Sequence, residues 1–206
     1  GRQRLAEQPD CVDQAREGVV HDSVATLIYT SGTTGRPKGV ELVQRNWVYV
    51  GFGVVKLDII NSDDLQYLWL PLSHVFGKCL LAVQLAIGFT SAVDGRVERI
   101  VPNLGVTKPT FMCGAPRIFE KVRATVLSSN ATGVKGAIAR WAFSVGKQSH
   151  EYRLAGKPLP GVLGVQYKIA DKLVFSKLRE RLGGRMKFMV SGSAKLNAKV
   201  QGWFYS

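Results

Sequence analysis

LIYTSGTTGRPKG, residues 27–39, joins a strand-like apolar run to four short hydroxyl side chains, three glycines and a lysine. Glycine leaves backbone N–H groups unshielded and lets a ligand approach closely. Amides, hydroxyls and a lysine ammonium all favour the oxygens of an anion. The stretch therefore indicates a phosphate-binding loop at the end of a strand, formed by Thr30, Ser31, Gly32, Thr33, Thr34, Gly35 and Lys38.

This loop is not a Walker A motif, since neither Gly32 nor Gly35 is followed by Gly-Lys-Ser/Thr at the required distance. Composition alone would favour a flexible linker. A linker, however, has no reason to follow a buried strand and to end in Arg-Pro-Lys-Gly at residues 36–39. The position of the glycine-rich stretch after a strand therefore favours a phosphate-binding loop of a kind other than Walker A.

Helical and strand-like patterns alternate along the rest of the chain. Helical patterns over Asn46–Lys56, Ser73–Gly88 and Pro116–Ser128 each fall between two apolar runs. This alternation predicts an α/β fold with a mostly parallel sheet flanked by helices, in which ligands bind beyond the carboxyl ends of the strands. The runs that read as buried strands are residues 25–30, 66–70, 89–93, 109–113 and 186–191.

Residues 133–184 are helical in pattern, basic, and free of strand candidates, so we interpret them as a helical insertion within the domain. From Leu163 to Leu182 the pattern predicts one helix that ends at Gly183. Two readings of this basic amphipathic helix remain: it lies on a membrane, or it packs on the core with a solvated basic face. Its predicted apolar face comprises Ile169, Leu173, Val174, Leu178 and Leu182.

The formal charge of +13 lies in the second half of the chain, where 18 Lys/Arg stand against 4 Asp/Glu after residue 103. Such a field attracts polyanions in general, although it also fits a solvated basic face. The three cysteines are far apart, which suits free thiols in a reducing compartment. Without a secretory pattern or a long apolar run, we expect a cytoplasmic protein.

Four stretches carry a resemblance to one family. YTSGTTGRPKGV (29–40), LPLSHVFG (70–77), KPTFMCGAPRIFEKV (108–122) and VSGSAKL (190–196) resemble, in order and spacing, motifs of the AMP-forming adenylating enzymes. This superfamily includes acyl-CoA synthetases, firefly luciferases and adenylation domains of peptide synthetases. The residues of the second and third stretches are most similar to those of bacterial long-chain fatty acyl-CoA synthetases. The resemblance implies that residues 1–206 are part of the large N-terminal domain.

The resemblance implies a two-step reaction that uses ATP, Mg²⁺ and coenzyme A. A fatty acid carboxylate attacks the α-phosphorus of ATP, pyrophosphate leaves, and the CoA thiol then displaces AMP from the acyl-adenylate. On the matching positions, the catalytic residues are His74, Lys38 and Thr30, and the Thr30 hydroxyl also joins the Mg²⁺ shell. The loop from Thr30 to Lys38 would hold the β- and γ-phosphates, and His74 would donate to charge near the acyl carboxylate.

Two further groups of residues receive roles from the resemblance. Val75, Phe76 and Gly77, with His74, would border the acyl substrate, and Ser191, Gly192, Ser193 and Ala194 would lie against the adenine ring. Each group also has an ordinary reading, as core residues and as a plain strand-to-helix turn. Arg117 could meet a phosphate of CoA or AMP, or cap local acceptors.

The sequence departs from the family pattern at several points. Val43 and Gln44 replace a usual Thr/Ser-His pair, so we expect Asn46 to cap the next helix, and Lys195 stands where proline is common. The carboxylate for Mg²⁺, the ribose-binding aspartate and the small C-terminal domain with its catalytic lysine are expected beyond Ser206. The 206 residues by themselves are therefore expected to bind ATP weakly and to be nearly inactive.

Two alternative functions remain open at this point. The acid could be aryl, amino or shorter acyl, or the chain could be a non-catalytic nucleotide- or polyanion-binding module. Aromatic residues are not interleaved with Lys/Arg, so we expect no nucleic-acid partner. Because long acyl chains partition into bilayers, we expect peripheral membrane contact through the basic region.

Overall fold

A computed structural model describes residues 1–31, 35–129 and 132–206. These residues form two compact units, each with its own sheet. The first unit comprises Gly1–Asn61 and Leu72–Gly88, and the second comprises Ser62–Pro71 and Phe89–Ser206.

The first unit contains a two-stranded antiparallel hairpin and four helices. The strand predicted at residues 25–30 is present, but its one strand partner among the described residues is a strand that was not expected from the sequence. It was expected to be buried, and this is wrong: Ile28 is its one buried residue, because a single neighbouring strand leaves most side chains exposed. The elements are α1 (Arg2–Glu7), α2 (Cys11–Glu17), β1 (Val24–Thr30), β2 (Lys38–Val43), α3 (Gln44–Val55) and α4 (Val75–Ile87).

Helices α3 and α4 pack closely in the first unit. A Cβ at Gly51 of α3 would lie 3.0 Å from the Ala86 Cβ and 3.1 Å from the Ala82 carbonyl oxygen of α4, so a side chain at this position would require α4 to shift by a few tenths of an ångström. The predicted cap of α3 is wrong in detail. Asn46 lies inside the first turn, where its Oδ1 accepts a hydrogen bond from the Val43 N–H at 2.9 Å.

The second unit is built on a four-stranded parallel sheet in the order β4-β3-β5-β6, which confirms the predicted fold class. Every residue of β5 is buried, and the Phe111 ring lies 5.2 Å from Phe89 and 5.6 Å from Phe188. Helix α6 begins at Pro116, whose missing N–H costs nothing in a first turn. The bounds are β3 (Leu65–Leu68), β4 (Thr90–Val93), α5 (Ile100–Thr107), β5 (Phe111–Gly114), α6 (Pro116–Ser129) and β6 (Phe188–Ser191).

One core cluster joins the sheet of the second unit to its helices. Tyr67 and Met112 of the sheet pack with Ile100 and Leu104 of α5 and with Phe119 of α6. Helix α10 (Ala198–Tyr205) adds Val200 to the same cluster. Helices α5, α6 and α10 thus pack on the sheet that carries the predicted adenine turn.

Residues 133–184 are helical as predicted: α7 (Gly133–Leu154), α8 (Gly161–Ala170), a π-turn (Asp171–Phe175) and α9 (Ser176–Arg181). The predicted apolar face is wrong at Ile169 and Leu173, which are exposed. Ala170 and Phe175 are buried instead, five residues apart, which is the spacing of a π-turn. Across the described part of the chain, none of the helices combines the length and hydropathy needed to cross a bilayer.

Candidate functional site

The glycine-rich loop closes the hairpin of the first unit. Thr30 ends β1 and Lys38 begins β2, and the two residues are cross-strand partners. Both are exposed, as are Ser31 and Gly35, and Gly35 adopts a φ of 80° that favours glycine. Gly32, Thr33 and Thr34 lie outside the described residues. The structure therefore brings a hydroxyl and an ammonium side chain together at the mouth of the loop.

His74 caps the N-terminus of α4 in the same unit. Its Nδ1 accepts a hydrogen bond from the Phe76 N–H at 3.2 Å, so the neutral ring carries its proton on Nε2. The residue is exposed, which leaves the Nε2–H available as a donor. Val75 is exposed, Phe76 is half-buried and Gly77 is buried in the first turn of the helix. One imidazole thus serves the helix and retains a free donor.

The predicted adenine turn lies in the second unit, at the carboxyl end of β6. The Gly192 N–H donates to the Gly114 carbonyl oxygen at 3.0 Å, and Ser193 adopts a left-handed φ of 66°. Ser193 and Ala194 are exposed. The Oγ of Ser191 is buried and has no hydrogen-bond partner among the described residues. A turn with small side chains and an unsatisfied hydroxyl fits a flat polar ligand.

The structure shows a polar network at the same edge of the sheet, which the sequence analysis missed. Asp94, directly after β4, pairs with Arg96 at 2.6 Å and accepts a hydrogen bond from Asn103 Nδ2 at 2.8 Å. Asn103 Nδ2 also lies 3.1 Å from the Tyr67 hydroxyl oxygen. In the sequence, the one signal for this network was the Asp-Gly-Arg stretch at residues 94–96, directly after a predicted strand.

The surroundings of Asp94 and Tyr67 in this network shift the pKa values of both groups. Hydrogen bonds from Arg96 hold the pKa of the Asp94 carboxyl well below its usual range. Burial raises the pKa of the Tyr67 hydroxyl, so this group stays protonated. The network thus holds a permanent anion against a cation, and it fixes the turn that follows β4.

The groups described above in the two units are hydrogen-bond donors and charged side chains rather than activated nucleophiles. Burial raises the pKa of Cys113 to about 12, so its thiol is protonated at neutral pH and is not a nucleophile. Among residues 1–31, 35–129 and 132–206, no group of three or more His, Cys, Asp or Glu side chains is arranged to hold a metal ion. Arg117 is exposed near the start of α6. The available chemistry is charge neutralisation and positioning.

Two proteins that are similar to this chain are named as fatty acyl-CoA ligases or synthetases. The chain is 37% identical over 187 residues to the long-chain-fatty-acid–CoA ligase FadD15 of Mycobacterium tuberculosis, covering 88% of this chain and 30% of that protein. It is 35% identical to fatty acyl-CoA synthetase A of Dictyostelium discoideum, over 87% of this chain and 26% of that protein. The chain therefore spans less than a third of the length of these relatives.

Solved structures agree on the fold. The adenylation and carrier didomain of a carboxylic acid reductase from Segniliparus rugosus, in complex with AMP, superposes with a TM-score of 0.56 at 23% identity. That match covers 98% of this chain and 28% of the other. ATP-bound MatB from Rhodopseudomonas palustris gives a TM-score of 0.52 at 19% identity, over 89% of this chain and 27% of the other.

The family resemblance expected from the four sequence stretches is confirmed along nearly the whole chain. The model of the family described as "AMP-binding enzyme" matches residues 2–206. This range includes the hairpin loop, His74 and the turn after β6. The chain belongs to the AMP-binding enzyme family.

Proposed function

We propose that this chain is part of an ATP-dependent ligase that converts a long-chain fatty acid to its acyl-adenylate and then to its CoA thioester. The observation that carries the proposal is 37% identity to a long-chain-fatty-acid–CoA ligase over 187 residues. Activation of another carboxylic acid, whether aryl, amino or shorter acyl, by the same chemistry is the alternative.

The hairpin loop is proposed to hold the β- and γ-phosphates of ATP. Thr30 and Lys38 are cross-strand partners and are exposed, so both can reach the same anion. Mg²⁺ would neutralise phosphate charge, and the Thr30 hydroxyl fits it as one oxygen ligand alongside water. Lys38 adds positive charge on the opposite strand. Together these groups favour departure of pyrophosphate by stabilising the charge that it carries.

His74 is proposed to orient and polarise the acyl carboxylate. Capping of α4 through Nδ1 fixes the ring and leaves Nε2–H as the donor. Val75, Phe76 and Gly77 would border the acyl group next to this donor. A directional hydrogen bond from this N–H would orient the carboxylate oxygens for attack on the α-phosphorus.

The turn Ser191–Ala194 is proposed to bind the adenine ring, and CoA is proposed to enter as the second substrate. The buried Ser191 Oγ and the small side chains that follow support a close, flat contact. We further propose a cytoplasmic location with peripheral membrane contact, since long acyl chains partition into bilayers. Fatty acid, ATP and CoA would then be the partners, with no nucleic acid.

The proposal is tested by ATP–pyrophosphate exchange with the full-length protein across a series of fatty and aromatic acids. We expect exchange with long saturated acids only. Lys38→Ala should lower kcat/KM by at least about tenfold, through lost phosphate positioning. Lys56→Ala is the matched control, because Lys56 is an exposed lysine at the end of α3 in the same unit. Exchange that is equal in both variants would remove Lys38 from the site.

A further inference from the structure

Helix α8 and the π-turn after it carry apolar side chains on two opposite faces. One face packs against α7, where Ala170 and Phe175 are buried with Ala142 and Val145. The other face exposes four aliphatic side chains, with exposed fractions of 77% for Val162, 60% for Val165, 46% for Ile169 and 43% for Leu173. These four residues are named here the exposed apolar stripe.

The stripe is continuous along the helix. Its members are spaced by three, four and four residues, and the three that lie in α8 fall within a sector of about 60° at the helical turn of 100° per residue. Leu173 follows in the π-turn, four residues after Ile169. A helix on the surface of a soluble domain normally has one apolar face, which packs on the core. A second, exposed one indicates a contact with something outside the described residues.

Positive charge flanks the stripe. Lys168 and Lys172 each precede a stripe residue and are exposed. Residues 161–181 contain five Lys/Arg and two Asp/Glu. One of these acids, Asp171, is already paired with Arg179 at 2.7 Å, so the two lysines keep an excess of positive charge beside the stripe. An aliphatic stripe bordered by lysines is complementary to a surface with an apolar interior and anionic headgroups.

We propose that the exposed apolar stripe docks on an anionic lipid bilayer. Val162, Val165, Ile169 and Leu173 would enter the boundary between headgroups and acyl chains, and Lys168 and Lys172 would meet lipid phosphates. The helix lies in the plane of the surface, held by α7 on its other side. The inference rests on the proposed peripheral contact but not on which acid is activated.

The test is co-sedimentation of the full-length protein with two kinds of vesicle. One contains phosphatidylcholine alone, and the other contains phosphatidylcholine with about one third phosphatidylglycerol. We expect binding to the anionic vesicles that weakens as salt is added, and little binding to the neutral ones. Equal binding to both vesicles, or none to either, would contradict the proposal.

Two double variants locate the contact. Val165→Asp/Ile169→Asp places negative charge on the stripe. Lys168→Glu/Lys172→Glu reverses the sign of the charge beside it. Each should lower partition to anionic vesicles by about tenfold or more. Leu85→Asp/Val106→Asp is the matched control, since these residues are 88% and 82% exposed on other helices. The control should bind as the unchanged protein does.

The other possible occupants of the stripe give different results. If the rest of the polypeptide covers it, Val165→Asp/Ile169→Asp will lower the melting temperature without vesicles far more than the control does. If a second copy covers it, light scattering will show a dimer that this variant dissociates. Either result overturns the lipid proposal. Pyrophosphate exchange with a short, soluble acid, measured in the same variants, separates failure of docking from failure of the proposed reaction.

Discussion

At the scale of single residues, His74 combines two tasks. Its Nδ1 accepts the Phe76 N–H at the start of α4, and its Nε2–H remains as a donor for the proposed carboxylate. A substitution to alanine would remove both, so loss of activity alone could not separate stability from chemistry. Asparagine separates them, because it is among the best N-cap residues but lacks the reach of the imidazole.

We therefore expect His74→Ala to lower the free energy of unfolding by about 1 kcal/mol, whereas His74→Asn should restore most of that loss. Both variants should lower kcat/KM for adenylation by about a hundredfold, because both lack the donor. Urea unfolding and pyrophosphate exchange with the full-length protein measure the two effects. Full activity in the asparagine variant would mean that His74 acts only as a cap.

At the scale of elements, the end of α9 depends on two consecutive glycines with different surroundings. Gly183 and Gly184 have φ values of 100° and 73°, and their N–H groups donate to the Glu180 and Arg179 carbonyl oxygens. A Cβ at Gly183 would lie 2.6 Å from the Leu104 carbonyl oxygen and 2.8 Å from the Lys108 Cα. A Cβ at Gly184 would meet nothing within 4 Å.

This difference predicts unequal effects of the same substitution. Gly184→Ala should cost about 1–2 kcal/mol in the free energy of unfolding, from the strained φ alone. Gly183→Ala should cost at least about 3 kcal/mol, because backbone atoms of α5 and of the segment after it must also shift. Urea unfolding of the two variants provides the comparison, and equal losses would show that contact with α5 does not matter.

At the scale of the whole molecule, the uneven charge separates two kinds of binding. The second half carries 18 Lys/Arg against 4 Asp/Glu, and a field of this kind attracts any polyanion. A glycine-rich loop that binds ATP with Mg²⁺ should depend less on salt, because its hydrogen bonds are local.

We expect a labelled single-stranded DNA to bind the full-length protein weakly and to be released steeply between about 50 and 300 mM salt. Affinity for ATP with Mg²⁺ should fall much less over that range. Fluorescence anisotropy and titration calorimetry measure the two affinities. DNA binding that persists at the higher salt would instead favour the alternative of a non-catalytic polyanion-binding module.

The sequence by itself determined the parallel sheet, the position of the hairpin loop and the family. Short branched apolar runs bounded by turn signals favour strands, and a run of glycines and hydroxyls directly after one of them favours an anion-binding loop over a linker. Helix α6 starts at Pro116 as predicted, for the local reason that proline suits a first turn.

Only the tertiary structure decided which residues those elements bury. Strand β1 was expected to be buried, yet it pairs with one strand and stays largely exposed. A π-turn brings Phe175 into line with Ala170, and Ile169 and Leu173 remain exposed. The Asp94–Arg96–Asn103 network joins neighbours from different elements. Local pattern fixes the type of an element, but burial depends on partners distant in sequence, which no local window contains.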